Sequence, residues 1–296
     1  AGVVPPAPEG AYADLTYAET RDVVRNLAAG FREIGVEDGT RVAIYAHTRM
    51  EWAQTDFAAL AAGATVTTVY SSSSDDQLRY LLEDPEATVV VAENRDLVEQ
   101  VQGVRDDLAH DLDAVVSFDD PGEAGADPDV HTLGDLHERG ADAFDPDAYE
   151  SWLDETEMDD LASLIYTSGT TGRPKGVELT HANFRANVNQ CYRRFADRPD
   201  RDPDTPGISA ESTTLSFLPL AHVFERLAGH YMMFAAGATV AYAENPDTLR
   251  EDFGLVRPTT TTSVPRVYEK LYDAIREQAG ESPVKERIFE WAVDVG

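Results

Sequence analysis

Two hydrophobic periods alternate along the first 120 residues, and that alternation restricts the fold more than any other feature of the chain. Val23, Val24, Leu27, Phe31 and Ile34 recur at helical spacing, and Gly35 follows as a helix-ending residue. Arg41–Ala46 is a short apolar run with the length of a buried strand. Glu51–Ala62 reads as a helix, and Ala64–Tyr70, rich in Val and Thr, as a strand. Ser74 with Gln77 forms a capping-box signature for a helix through Leu82. Ala87–Ala92 and Ala114–Phe118 add two more strands. Strands separated by helices imply an α/β fold with a parallel sheet covered on its faces.

From residue 161 the alternation resumes. Leu161–Tyr166 is a predicted strand and Ala182–Phe195 a helix opened by Thr180. Thr214–Leu218 and Ala238–Ala243 are strands, with a helix over Val223–Ala235 between them. Thr259–Ser263 is a further strand candidate, Arg266–Gln278 a helix with Pro265 in its first turn, and Val284–Val295 another amphipathic helix. Residues 119–150 are acidic, carry Pro and Gly and have weak periodicity, so they read as a surface excursion. Residues 197–211 read as a second one.

Charge narrows the partners. The 296 residues hold 55 acidic against 24 basic side chains, a formal net charge of −31. An unfolded acidic chain would need depleted hydrophobicity, but 42% of residues are apolar and the acids are interleaved with periodic segments. A folded protein with an acidic surface follows. It suits a high-salt cytoplasm, where molar salt screens repulsion over roughly 3 Å. Such a surface disfavours nucleic acid and electrostatic docking on anionic lipid. Cys191 is the single cysteine, which excludes an internal disulfide. No apolar run has the length of a membrane span.

The chemistry concentrates in Tyr166-Thr-Ser-Gly-Thr-Thr-Gly-Arg-Pro-Lys-Gly-Val177, between an apolar strand and Val177–Leu179, which can pair back as a hairpin. Gly169 and Gly172 let backbone N–H groups converge on one anion. Thr167, Ser168, Thr170 and Thr171 add hydroxyl donors, and Lys175 adds a mobile positive charge. Many short donors with one cation suit a polyphosphate. The Gly-Lys-Ser/Thr string that opens a helix in a Walker loop is absent, since Lys175 lies between Pro174 and Gly176.

This string resembles the phosphate-binding signature of the superfamily of acyl-CoA synthetases, adenylation domains and luciferases. Leu15-Thr-Tyr17 and the stretch from Gly39-Thr-Arg-Val-Ala-Ile44 to Ala61-Ala-Gly-Ala64 are similar to that superfamily's opening region. Leu218-Pro-Leu-Ala-His-Val-Phe-Glu-Arg226 and Val264-Pro-Arg-Val-Tyr-Glu-Lys270 resemble stretches of long-chain fatty acyl-CoA synthetases. The resemblance implies an ATP-dependent ligase. A fatty acid carboxylate attacks the α-phosphate, and coenzyme A then displaces AMP. It implies that Thr167 to Gly172 and Lys175 hold the phosphates, that Thr167 touches Mg²⁺, and that His222 lies near the acyl carboxylate. As a residue, His222 can equally cap the helix that follows it. Leu227, Tyr231, Met232, Met233 and Phe234 either line an acyl channel or pack the core.

The superfamily's Tyr-Gly-x-Thr-Glu string, its ribose-binding Asp, its hinge and its C-terminal adenylation lysine do not occur in the chain. With Ala at position 1 and a helix running to Gly296, the expectation is an N-terminal fragment lacking the small C-terminal domain, with impaired activity by itself. Three alternatives stay open: a non-catalytic nucleotide-binding module, a ligase for a medium-chain or aryl acid, and, disfavoured by the absence of Asp from Leu218–Arg226, an amino-acid-activating domain. A fatty substrate implies access at the periphery of a membrane, although no anchor is visible.

Overall fold

A computed structural model describes residues 3–4, 11–167, 173–196, 198, 200, 207–243, 245 and 248–295. They divide into two compact units, residues 1–260 and 261–296.

The first unit is built on a seven-stranded sheet. Its strands are β1 (Arg41–Tyr45), β2 (Thr65–Val69), β3 (Val89–Ala92), β4 (Ala114–Ser117), β5 (Val130–Thr132), β6 (Leu161–Thr167) and β7 (Lys175–Thr180). They lie in the order β5-β4-β3-β1-β2-β6-β7, all parallel except β7, which runs antiparallel to β6. The helices are α1 (Tyr17–Glu33), α2 (Met50–Ala61), α3 (Asp75–Glu83), α4 (Arg95–Arg105), α5 (Leu133–Ala143), α6 (Pro146–Glu155) and α7 (His181–Phe195).

Successive side chains of a strand point to opposite faces, and β1 divides its residues accordingly. Val42 and Ile44 enter a core with Leu27, Phe31, Trp52 and Leu136. Ala43 and Tyr45 enter the opposite core with Leu78, Leu82, Val98 and Val101. Both faces are covered, which explains why the strands read as continuous apolar runs. The predicted capping box at Ser74 and Gln77 is present, and Thr180 with Asn183 forms another at the start of α7.

The expected excursion over 119–150 is corrected. It contributes β5 to the sheet edge, then α5 and α6. Helix α5 crosses α1 so closely that any Cβ at Gly140 would overlap the Asn26 carbonyl. Its acidic residues occupy the outer face, while Leu133, Leu136 and Gly140 face inward. The other expected excursion, 197–211, falls largely outside the described residues.

A two-stranded parallel sheet follows, β8 (Thr213–Ser216) with β9 (Thr239–Tyr242). Between them the predicted helix over Val223–Ala235 is a π-helical segment, Glu225–Tyr231, continued by α8 (Met232–Ala235). Helix α9 (Leu249–Val256) closes this part. The expected strand at Thr259–Ser263 reduces to one isolated bridge, Thr260 with Thr214. The second unit is a helical pair, α10 (Pro265–Gly280) and α11 (Pro283–Val295), joined by Tyr272 against Phe289 with ring centroids 5.4 Å apart.

Candidate active site

In a parallel sheet the carboxyl ends of the strands form the natural binding edge. At that edge, between β1 and β3, Arg49 binds Glu51 and Asp119, and Glu93 accepts from both the backbone N–H and Nδ1 of His47 at 2.7 and 2.6 Å. These charges satisfy one another. The groups that can serve a ligand lie on the other side of β1.

There β6 and β7 form a hairpin in which Thr167 and Lys175 are cross-strand partners. Directly opposed side chains share a face, with Cβ atoms roughly 5 Å apart. The hairpin therefore brings the predicted hydroxyl and the predicted ammonium together at the mouth of the loop. Both are exposed, and Lys175 has no ion-pair partner among the described residues. The intervening candidates Ser168, Gly169, Thr170, Thr171 and Gly172 lie outside the described residues. The exit of the loop is tied to α3: the Tyr80 hydroxyl donates to the Pro174 carbonyl at 2.8 Å, and the Arg173 guanidinium lies 5.3 Å from the centre of the Tyr80 ring.

The segment Leu218–His222 is laid over the same edge. Thr48, just beyond β1, donates to the Leu218 carbonyl at 2.7 Å and accepts the Leu220 N–H at 2.9 Å. Thr68 of β2 donates to the Ala221 carbonyl at 2.9 Å. Since β2 pairs directly with β6, His222 follows a residue anchored on the strand next to the β6–β7 hairpin. The His222 ring is exposed, and its Nδ1 accepts the Phe224 N–H at 3.1 Å. That bond is the helix-capping contact foreseen as one reading. It also assigns the proton of a neutral ring to Nε2, which leaves a donor directed away from the cap.

Behind this segment the π-helix buries several charged and polar groups. Arg226 and Asp56 are both fully buried and form a two-point ion pair. Burial works against the guanidinium charge, but Asp56 and Tyr231 outweigh it and raise the Arg226 pKa above its ordinary value. Glu225 is also buried, its Oε1 accepting from the Ser216 hydroxyl at 2.6 Å, and burial raises its carboxyl to about 7. His230 is held near 3 by burial and then by Arg226.

Of the apolar residues in this helix, Met232 and Met233 belong to a core cluster with Ala236 and Ala238, and the Tyr231 hydroxyl binds Asp56. Phe234 packs edge-on against Phe57 and Tyr17. Core packing thus accounts for Met232 and Met233, whereas Phe224 stands exposed. Residues to which sequence reasoning attached no role are Tyr80, Asp56 and Ser163, and Tyr231, expected in an acyl channel or the core, instead binds Asp56 through its hydroxyl. The available signal was charge within apolar helices: Asp56 in Glu51–Ala62 and Arg226 before Leu227–Phe234. Among the described residues no group of three or more His, Cys, Asp or Glu could hold a metal ion.

A family model described as AMP-binding enzyme matches residues 4–288. The long-chain-fatty-acid–CoA ligase FadD15 of Mycobacterium bovis is 36% identical over 284 residues, which are 95% of this chain and 44% of that protein. The long-chain-fatty-acid–CoA ligase ACSBG1 of Rattus norvegicus is 30% identical, with 95% of this chain and 38% of that protein covered. The chain thus spans less than half the length of these relatives. Among solved structures, the adenylation domain of a carboxylate reductase from Mycobacterium chelonae superposes with a TM-score of 0.73 at 26% identity, covering 92% of this chain and 42% of that one. A long-chain-fatty-acid-CoA ligase from Archaeoglobus fulgidus superposes with a TM-score of 0.71 at 23% identity, over 92% and 49% of the respective chains, and so shares the fold.

Proposed function

This chain belongs to the AMP-binding enzyme family, and on that premise we propose that it serves the ATP-dependent activation of a long-chain fatty acid to its coenzyme A thioester. The supporting observation is the pairing of Thr167 with Lys175 across the phosphate hairpin, one strand away from the anchored His222 segment.

In the first step a carboxylate oxygen attacks the α-phosphorus of ATP. The bond from that phosphorus to the bridging oxygen breaks, and pyrophosphate leaves with the electron pair. Lys175 and the loop it closes hold the β- and γ-phosphates and stabilise the charge that collects on the leaving group. The Nε2–H of His222 donates to an oxygen of the crowded α-phosphate. In the second step the thiolate of coenzyme A attacks the acyl carbon and AMP departs. Magnesium, which takes only one or two protein oxygens beside phosphates and water, would find the exposed Thr167 hydroxyl at the loop mouth and would supply charge neutralisation. The long-chain ligases among the relatives support the choice of acid. The net charge of −31 supports a high-salt cytoplasm as the setting.

The test is competition. The full reading frame containing this chain is incubated with ATP, Mg²⁺, coenzyme A and an equimolar mixture of acids from acetate to palmitate, with benzoate and several amino acids added. Mass spectrometry of the thioesters should find the long acyl chains dominant. Dominant benzoyl or medium-chain products would contradict the choice of acid, and the absence of any thioester would contradict ligase chemistry.

A further inference from the structure

Arg226 is fully buried, yet it links both halves of the candidate site, through its backbone on one side and its guanidinium on the other. Its backbone N–H donates to the His222 carbonyl at 3.1 Å, so it begins the helix that His222 caps. Its side chain runs inward. Nε and Nη2 donate to the two Asp56 oxygens at 3.0 and 2.5 Å, and Nη1 donates to the Ser163 hydroxyl at 2.6 Å. Ser163 lies on β6, four residues before Thr167, and passes its own proton to the Val66 carbonyl of β2 at 2.6 Å. Tyr231 completes the set by donating to Asp56 Oδ2 at 2.6 Å. The rings of Trp52, Phe184 and Tyr231 surround the guanidinium at 5.6, 5.2 and 5.6 Å. Phe184 belongs to α7, which follows directly on β7.

One planar cation therefore contacts α2, β6, α7 and the π-helix. A buried ion pair is a poor way to gain stability, because well-packed apolar residues of the same volume often do as well or better. What a five-donor fork supplies, and an apolar side chain lacks, is fixed direction. In-line attack on phosphorus needs that quality, since a misplacement of about 1 Å can lower a rate roughly 10²-fold.

We infer that Arg226, oriented by Asp56, is a positioning residue that holds the His222 segment in register with β6, the strand carrying the phosphate loop. The inference rests on the ligase function proposed above, since it assigns the carboxylate to the His222 side and the polyphosphate to the β6 side.

Three substitutions in the full reading frame test it. Arg226→Lys keeps the charge and loses the fork, Ser163→Ala removes the link to β6, and Tyr231→Phe removes a single hydroxyl. Steady-state kinetics should give KM values for ATP and acid within about threefold of the parent, because each half-site stays intact, with kcat lower by on the order of 10²-fold in Arg226→Lys. Amide hydrogen exchange should quicken together in residues 161–167 and 218–224. Unchanged kcat in all folded variants, or faster exchange confined to one of the two segments, would overturn the inference. Should Arg226→Lys fail to fold, Tyr231→Phe and Ser163→Ala carry the same comparison. A parent protein that makes no thioester would refute the ligase function, while the exchange measurement would still decide whether the two segments are coupled.

Discussion

Tyr80 and Tyr166 fasten the two described ends of the β6–β7 connection to α3 and its end. Tyr80 donates to the Pro174 carbonyl and carries Arg173 against its ring, while Tyr166 meets Tyr80 edge-on at 6.0 Å and donates to Asp84 at 2.6 Å. Ordering backbone around a ligand costs entropy, and fixing Pro174, the residue before Lys175, lowers that cost at Lys175. Tyr80→Phe removes one hydroxyl on a side chain that remains packed. A typical hydrogen bond is worth about 1 kcal/mol, so KM for ATP should rise roughly fivefold with little change in thermal midpoint. Steady-state kinetics at saturating acid would measure it, and an unaltered KM would contradict the anchoring role. At this scale the hairpin was legible: Val177–Leu179 were expected to pair back on the strand before the loop, and they pair with Ser163, Leu164 and Ile165. Tyr80 was not legible, because its partner lies 94 residues away and a tyrosine in a helix usually signifies packing alone.

The π-helical segment Glu225–Tyr231 was read from its periodicity as an ordinary helix, and the identity of its residues gives no reason to expect otherwise. Its distinctive packing is between Glu225 and Gly229. The buried Glu225 carboxyl occupies the place that a Cβ at position 229 would take. Such segments recur at functional sites, where they redirect one turn of a helix. Here the turn carries Arg226 inward while His222 and Phe224 remain exposed.

The buried carboxyl also gives this element a pH dependence. Burial raises Glu225 from 4.5 to about 7, so between those values the folded state binds a proton that the unfolded state has lost. Its contribution is therefore greatest at low pH and declines as pH rises toward 7. His230, lowered from 6.5 to about 3, acts in the opposite sense, with stability lost as pH falls through that interval. Glu225→Gln keeps an acceptor for Ser216 and removes only the first effect. Relative to the parent, the variant should gain about 2–3 kcal/mol between pH of about 5 and about 8. The His230 contribution cancels in that difference. Denaturant unfolding at the two pH values measures it, and a pH-independent difference would contradict a neutral buried Glu225.

Over the whole molecule, the strand–helix alternation of residues 20–118 was enough to specify a covered parallel sheet. Its apolar runs are of strand length, and each is bounded by residues that end or begin a helix. Residues 119–150 were missed because half of what α5 buries is glycine, Gly134 and Gly140 beside Leu133 and Leu136, and α6 buries Tyr149, so little apolar periodicity shows among the many acids. In a chain of net charge −31, acidity no longer separates loops from helices, so the usual compositional sign of an excursion misleads. The same charge sets the conditions for any assay. The high-salt setting proposed above puts the assay in molar KCl, where repulsion among the acids is screened. In that medium the most direct measurement is exchange of labelled pyrophosphate into ATP by the full reading frame, with and without a long-chain acid, for the parent and for Lys175→Ala. Acyl-adenylate formation at this site predicts exchange that requires the acid and falls on the order of 10²-fold when Lys175 is lost. A folded, ATP-binding protein with no exchange for any acid, or with exchange indifferent to Lys175→Ala, would contradict it.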